Sequence, residues 1–274
     1  MLSALAHWLA GLPTTAAVLA AIGGAAGLSV LLLLAVHRVV PHVLRSAHND
    51  IAGFTLAIVG VIYAVLLAFI AIAVWTNFGQ ADALVQTEAN IAGNLYRETV
   101  AMPEPLAGKL RRSLYSYAET VVQDEWPAMA EGRVVDAPGW ALLDNFHLDL
   151  VQLHAQDPGT AAMQAGMIRL LNDLYDARRG RFHAATASLP AVLWWNLLAG
   201  ATILVLFACL FGVPNLTMHA AMVALLGAAI GLVLIVIVLL NDPFRGENHV
   251  SVEPFDRLVR TVETMAYPMA SPHN

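Results

Sequence analysis

The chain has 274 residues, of which 58% are hydrophobic and only 12% are charged, with a formal net charge of −6 and a mean hydropathy of +0.66. Soluble domains carry roughly twice that fraction of charged residues, so the composition excludes an ordinary soluble protein. The mild acidity excludes the basic surface of a nucleic-acid-binding protein, and the single cysteine, Cys209, excludes an intrachain disulfide.

Uncharged apolar runs recur four times along the chain. Each is long enough, as a helix, to cross a hydrocarbon core of about 30 Å. We therefore predict an all-α, polytopic membrane protein with four transmembrane helices: TM1 at 15–37, TM2 at 51–76, TM3 at 190–212 and TM4 at 215–240. Ahead of TM1, the spacing of apolar side chains predicts a short helix lying at the membrane interface, formed by Leu2, Leu5, Trp8, Leu9 and Leu12.

The 113 residues between TM2 and TM3 hold 23 of the 34 formal charges and are predicted to form a helical soluble domain. The first helix continues TM2, and a second runs from Pro105 to Glu125. A third begins near Trp140, and a fourth carries a stripe of Met and Leu. Apolar residues recur at helical spacing in the last three: Leu106, Leu110, Leu114, Tyr117 and Val121; Leu143, Phe146, Leu150 and Leu153; Met163, Met167, Leu170 and Leu174.

The predicted organisation has four parts: residues 1–76, 77–189, 190–240 and 241–274. They correspond to the interfacial helix with TM1 and TM2, the soluble domain, the TM3–TM4 hairpin, and a C-terminal junction and tail. Arginines are far more numerous on the side that carries the soluble domain than beside Arg38 and Arg45. The positive-inside rule therefore predicts that both termini and residues 77–189 lie in the cytoplasm.

No catalytic motif is present, so the sequence predicts neither an enzyme nor a bound cofactor. Asp144, His147 and His154 are the most metal-like set, but they lie on a solvated helix and a metal site needs three or four converging ligands. We predict no metal site. No Asp, Glu, Lys or Arg lies within the four apolar runs, which argues against an ion-coupled transporter.

TM2 has two different faces. One consists of small residues that let another helix approach closely, and TM4 repeats this pattern. The residues predicted to pack helices are Gly53, Gly60, Ala64, Gly227 and Gly231. The other face is bulkier, and we predict that it lines a pore whose narrow part is apolar. Its residues are Thr55, Ile58, Ile62, Leu66 and Phe69.

Five stretches of the chain together resemble one known family: "YAVLLAFIAIAVW", "EANIAGNLYRETV", "EWPAMAEG", "LPAVLWWNLL" and "NDPFRGENHVSVEPF". This is the bestrophin-like family catalogued as DUF4239, and the resemblance covers about 50–256. It implies a homo-oligomeric ion channel, since true bestrophins are pentamers, embedded in membrane lipid and passing inorganic ions. The row of aspartates found in calcium-gated animal bestrophins is absent here, so calcium gating is not expected.

The sequence therefore predicts a channel of a bacterial-type inner membrane with TM2 lining the pore. The alternative is a non-conducting membrane scaffold or sensor whose cytoplasmic helices bind a partner. The junction after TM4 has its own predicted role as a latch to the soluble domain, with a bound ion as the alternative. It comprises Asp242, Pro243, Phe244, Arg245, Gly246 and Glu247.

Within this junction, Asp242 stands at a helix C-terminus, where the dipole disfavours an anion, so we expect it to pair with an arginine. The candidate partners are Arg245, Arg178, Arg179 and Arg181. Phe244 is expected to anchor at the membrane interface. The alternation in "HVSVEPF" predicts an extended segment over residues 249–255.

Overall fold

The computed structural model describes residues 11–41, 45–46 and 49–266. The described part is helical and contains no strand. Its α-helices, in chain order, are α1 (Thr14–Val39), α2 (Asn49–Glu98), α3 (Leu106–Thr120), α4 (Trp126–Ala130), α5 (Ala137–Val151), α6 (Pro158–Thr186), α7 (Ala191–Cys209), α8 (Leu216–Asn241) and α9 (Glu253–Ala266). The predicted interfacial helix at Leu2, Leu5, Trp8 and Leu9 lies outside the described residues.

The four predicted transmembrane segments are confirmed as helices long and apolar enough to cross a membrane. The chain divides into two compact units. The membrane unit contains the described residues up to Asn77, with Ser188–Asp242 and Gly246–Asn248. The soluble unit contains Phe78–Ala187, Pro243–Arg245 and the described residues from His249 onward. The protein is thus an all-α polytopic membrane protein with a helical insertion between its second and third spans.

Helices of the membrane unit approach one another through small residues. A Cβ added at Gly231 of α8 would lie 2.7 Å from the Cβ of Ala25 on α1, so only glycine permits this separation. Between α2 and α7, the Tyr63 hydroxyl donates to the Leu197 carbonyl at 3.0 Å. Asn49, at the start of α2, accepts from the backbone N–H of Gly212 at 2.8 Å and so links α2 to the α7–α8 turn.

The soluble unit buries the apolar stripes that the sequence predicts. Most of their members are almost fully buried, including Leu110, Leu114 and Tyr117 on α3, Leu143, Phe146 and Leu150 on α5, and Met167 and Leu174 on α6. α2 contributes mainly small side chains to the same core, namely Ala81, Val85, Ala89 and Ala92, with Leu95 and Tyr96. The amphipathic patterns therefore identify the core-facing sides of these helices correctly.

Two local predictions are corrected by the structure. The helix expected from Pro105 to Glu125 leaves α geometry after Thr120 and forms a π-helical turn at Val121–Glu125. Pro127 comes two residues after this turn. In a regular helix its ring would collide with the carbonyl four residues earlier, a clash that the wider turn relieves. The predicted extended segment is wrong from Glu253 on, where α9 begins; proline is well tolerated in a first helical turn, here at Pro254.

Candidate functional site

One face of α2 is exposed along most of the helix. Residues at every 3.6 positions from 58 to 94 share this face, because 3.6 residues complete one turn. All of them are exposed: Ile58, Ile62, Val65, Phe69, Ile72, Thr76, Gln80, Ala83, Thr87, Asn90 and Asn94. The part in the membrane unit is apolar as far as Ile72, and the part in the soluble unit is dominated by amides and hydroxyls. No residue in the set carries a charge, although the face extends for about 54 Å at 1.5 Å per residue.

The predicted pore-lining residues lie on or beside this face. Ile58, Ile62 and Phe69 belong to it, with 49%, 66% and 69% of their surface exposed. Thr55 is half-buried, and its hydroxyl donates to the Ile51 carbonyl of its own helix at 2.9 Å. Leu66 is also half-buried and packs against the core of the membrane unit.

The residues predicted to pack helices have different surroundings. Gly53 lies 3.8 Å from the Phe211 ring and Gly60 lies 3.7 Å from the Leu204 side chain, measured from an ideal Cβ position. Gly227 and Gly231 of α8 are buried against α1. Ala64 is exposed in the single chain.

A cluster of five polar side chains, each fully buried, occupies the centre of the soluble unit. We call it the ionic cluster; it consists of Glu88, Tyr117, Glu125, Arg178 and Arg181. Arg181 donates to Glu88 through two nitrogens, at 2.6 and 3.0 Å, and to Glu125 at 2.6 Å. Arg178 donates to both oxygens of Glu125, at 3.0 and 2.7 Å, and the Tyr117 hydroxyl donates to Glu88.

The surroundings of the cluster add further contacts to Arg178. Arg178 also donates to the Asp136 carbonyl at 2.8 Å, and its guanidinium lies over the Phe182 and Trp140 rings at 4.9 and 5.0 Å from their centroids. Gly139 on α5 faces the cluster, where a Cβ would collide with Arg178 and Glu125. Two carboxylates and two guanidinium groups balance in charge, and the aromatic rings exclude water.

Local structure places each member of the cluster. Glu88 is on α2, and Arg178 and Arg181 are one turn apart on α6, so both point to one side. Glu125 is the last residue of the π-helical turn, whose wider geometry changes the direction of every side chain after it. A π-turn of this kind is frequent at functional positions, and here it brings a carboxylate to both arginines.

The electrostatics stabilise the charged forms of the arginines. Burial alone would lower the pKa of the Arg181 guanidinium, but the Glu88 carboxylate raises that pKa above its ordinary value. Burial, together with the negative charge of Glu88, holds the pKa of the Tyr117 hydroxyl well above 10. Tyr117 therefore remains a neutral donor at physiological pH.

The junction after α8 differs from the prediction in two respects. Phe244, expected at the membrane interface, is instead buried in the soluble unit, where its ring meets Trp126 edge-on at 5.4 Å. Arg178 and Arg181, considered as partners of Asp242, are engaged in the ionic cluster, and Arg179 forms an exposed pair with Asp176.

Other junction residues make specific contacts within each unit. Arg245 donates to the Glu131 carbonyl at 2.8 Å, and the neighbouring Gly132, at φ +74°, leaves room for it. In the membrane unit the Glu247 carboxylate accepts from the backbone N–H of Thr14, the first residue of α1, at 2.6 Å. This hydrogen bond lowers the pKa of Glu247, and the carboxylate caps a helix whose own preceding residue is a proline.

Asp144 and His147, the nearest approach to a metal motif, line an open cleft of about 550 Å³ between α5 and α6 with Trp140, Leu148, Tyr175 and Arg179. His154 lies beyond the end of α5, where its ring contacts the Gln152 carbonyl at 3.0 Å. Among the residues that the structure describes, no three His, Cys, Asp or Glu side chains converge as metal ligands.

The ionic cluster is the feature that the sequence analysis missed. A signal for it exists, because Arg178 and Arg181 continue the apolar stripe of α6 at Met167, Leu171 and Leu174 with the same spacing of three and four. Glu88 likewise falls on the core-facing side of α2. Charged residues at core-facing positions indicate buried pairs, since an unpaired buried charge is strongly unfavourable.

Comparison with known proteins identifies the family. Variants of a bacterial bestrophin homolog from Klebsiella pneumoniae have similar structures: one has a TM-score of 0.67 at 15% identity, covering 90% of this chain and 97% of that chain, and another 0.66 at 16%, covering 89% and 98%. A search of curated proteins gives no significant match. The model of the bestrophin-like domain matches residues 23–255, which is most of the sequence, and the chain therefore belongs to the bestrophin-like family.

Proposed function

We propose that the protein is a homo-oligomeric ion channel in which α2 lines the conduction path. The observation that supports this best is the long exposed face of α2. An apolar face within the membrane could also meet lipid, but its continuation below the membrane as Gln80, Thr87, Asn90 and Asn94 suits a water-filled path. A single chain cannot enclose such a path, so several copies arranged around an axis are required.

The resemblance to bestrophins favours five copies around that axis, in a bacterial-type inner membrane. Arginines also favour a cytoplasmic soluble unit: Arg169, Arg179, Arg257 and Arg260 are exposed or half-buried on that side. The similarity to the solved bacterial homolog extends over nearly the whole chain and is consistent with this arrangement.

The uncharged face of α2 predicts weak selectivity between cations and anions. An apolar constriction hinders ions because they lose hydration water there without gaining ligands. Ile62 and Phe69 are seven residues apart on the exposed face and would form two successive apolar rings. No charged residue lies on this face between 58 and 94, so the path itself should discriminate only weakly between cations and anions.

The test is ion flux into proteoliposomes containing the double variant Ile62→Ala with Phe69→Ala. We expect a larger flux than in the wild type, with weak dependence on the sign of the ion. The matched control is Leu19→Ala with Leu225→Ala, which shortens two equally exposed side chains on α1 and α8 and should leave the flux unchanged.

A second control, Ala64→Val, alters the small-residue face and should disturb assembly, not conduction. If the Ile62/Phe69 variant assembles normally and passes no more ions than empty liposomes, α2 does not line a pore. The non-conducting scaffold would then be the better description.

A further inference from the structure

Glu88, the member of the ionic cluster on α2, lies on the buried side of that helix and away from its exposed face. At 100° per residue, Asn90 lies about 160° around the helix from Glu88, and Thr87 lies about 100° from it. Glu88 is fully buried and Thr87 is exposed. The direction in which Glu88 points therefore determines the direction in which the amide-bearing face points.

Apolar packing alone does little to fix the rotation of this part of α2 about its own axis. The buried side chains nearest Glu88 are Val85, Ala89 and Ala92, none larger than valine, and Leu95 and Tyr96 follow about two turns later. Apolar contact has no preferred direction. Gly180 on α6 allows a close approach as well, because a Cβ there would lie only 2.8 Å from the Leu84 side chain. Small surfaces in close contact permit a helix to turn by a fraction of a residue with little loss of buried area.

The Glu88–Arg181 pair is directional where the apolar contacts are not. Its two hydrogen bonds, at 2.6 and 3.0 Å, form a fork that fits only one orientation of the carboxylate, and Tyr117 donates to the same group. Arg181 is itself held by Glu125 at 2.6 Å, so its position is set independently of α2. The pair is thus a fixed reference point on α6 for the rotation of α2.

We propose that the ionic cluster, through Glu88 and Arg181, sets the rotation of α2 about its own axis in the soluble unit. It thereby selects Gln80, Thr87, Asn90 and Asn94 as the side chains that face the conduction path. The inference rests on the proposed channel function only for this last step. Glu88 and Arg181 are positioning residues, since neither lies on the exposed face.

The experiment measures thiol accessibility on purified protein in which Cys209 is replaced by serine. Single cysteines are introduced at Asn90 on the exposed face, at Ala92 on the buried face and at Ala107 on α3, which is 1% exposed. With the cluster intact, a polar maleimide should modify Asn90→Cys and leave the other two protected.

The cluster is then altered in two ways. Glu88→Gln with Arg181→Met removes one charge of each sign and leaves Glu125 paired with Arg178, so the remaining buried charges still balance and the melting temperature should stay near that of the parent. Arg181→Lys keeps the charge and loses the fork. In both backgrounds we expect modification of Asn90→Cys to slow and Ala92→Cys to lose its protection, while Ala107→Cys stays protected.

Two outcomes would overturn the proposal. An unchanged pattern at Asn90→Cys and Ala92→Cys in both backgrounds shows that packing alone orients α2. Loss of protection at Ala107→Cys as well shows that the cluster merely holds the unit together. Neither outcome depends on ion conduction, so failure of this inference is separate from failure of the flux test.

Discussion

The buried polar side chains of the membrane unit and of the soluble unit have different kinds of hydrogen-bond partner. In the membrane unit, the buried polar side chains bond mainly to backbone carbonyls. Ser29 donates to the Ala25 carbonyl at 2.8 Å, Arg45 donates to the Cys209 carbonyl at 3.4 Å, and the His219 ring contacts the Ala208 carbonyl at 3.0 Å. In the soluble unit, four charged side chains are buried together, and two of them, Glu88 and Arg181, lie on different helices and are 93 positions apart in the chain.

The difference follows from what holds each unit together. Helices in lipid gain little from burying apolar surface against each other, so close approach through glycine and alanine replaces it. The hydrophobic effect drives the folding of the soluble unit, and this offsets the cost of desolvating a balanced set of charges. In our proposal the ionic cluster of the soluble unit orients α2, whereas the glycines of the membrane unit allow helices to approach closely.

The largest expected effect is in the ionic cluster. Arg178→Ala leaves Glu125 buried with only one of its two cations, and breaking such a pair costs about 3–5 kcal/mol. Arg179→Ala, the neighbouring residue, removes an exposed pair with Asp176 worth about 0–1 kcal/mol. Denaturant titration of both variants measures the contrast, and equal losses would mean that burial of the cluster has no special consequence.

An intermediate effect is expected where α1 meets α8. A methyl group at Gly227 would lie 2.8 Å from the Ala25 carbonyl oxygen and would also collide with Ser29, so Gly227→Ala should cost about 1–3 kcal/mol. Gly27 has open space around it, and Gly27→Ala should be neutral or slightly stabilising because alanine favours the helix. The melting temperatures of the Gly227→Ala and Gly27→Ala variants in detergent test this contrast. Similar melting temperatures for the two variants would show that the close approach of α1 and α8 does not stabilise the membrane unit.

The smallest effect is at the start of α6. Asp157 accepts from the backbone N–H of Thr160 at 3.0 Å and of Gly159 at 2.8 Å, and its bonds to Thr160 lower its pKa below 3.8. Asp157→Ala should therefore destabilise the soluble unit modestly at neutral pH.

Because the folded pKa of Asp157 is lowered, its stabilisation is present above the unfolded pKa and is lost as the pH falls through the folded value. The difference in melting temperature between Asp157→Ala and the parent should thus shrink as the pH is lowered below about 4. Asp173→Ala, exposed in the middle of α6, provides the control. A constant difference across the pH range would rule out the charged cap.

The amino-acid sequence by itself determined the four spans and the faces of the soluble helices. Both depend on local patterns: an uncharged run predicts a span, and apolar residues such as Leu110 and Leu114 at helical spacing predict a buried side. The spacing of large residues on TM2 also put Ile58, Ile62 and Phe69 on one face, which is exposed in the structure. Their place in a pore stays a prediction.

Only the tertiary structure decided how distant residues combine. Glu88, Glu125 and Arg181 are far apart in the chain, and no periodicity links them, so their pairing appeared only once α2, the π-helical turn and α6 packed together. Glu247 likewise meets Thr14 across 233 positions. Hydrophobic periodicity is a property of one helix, whereas a charge pair depends on the relative placement of several.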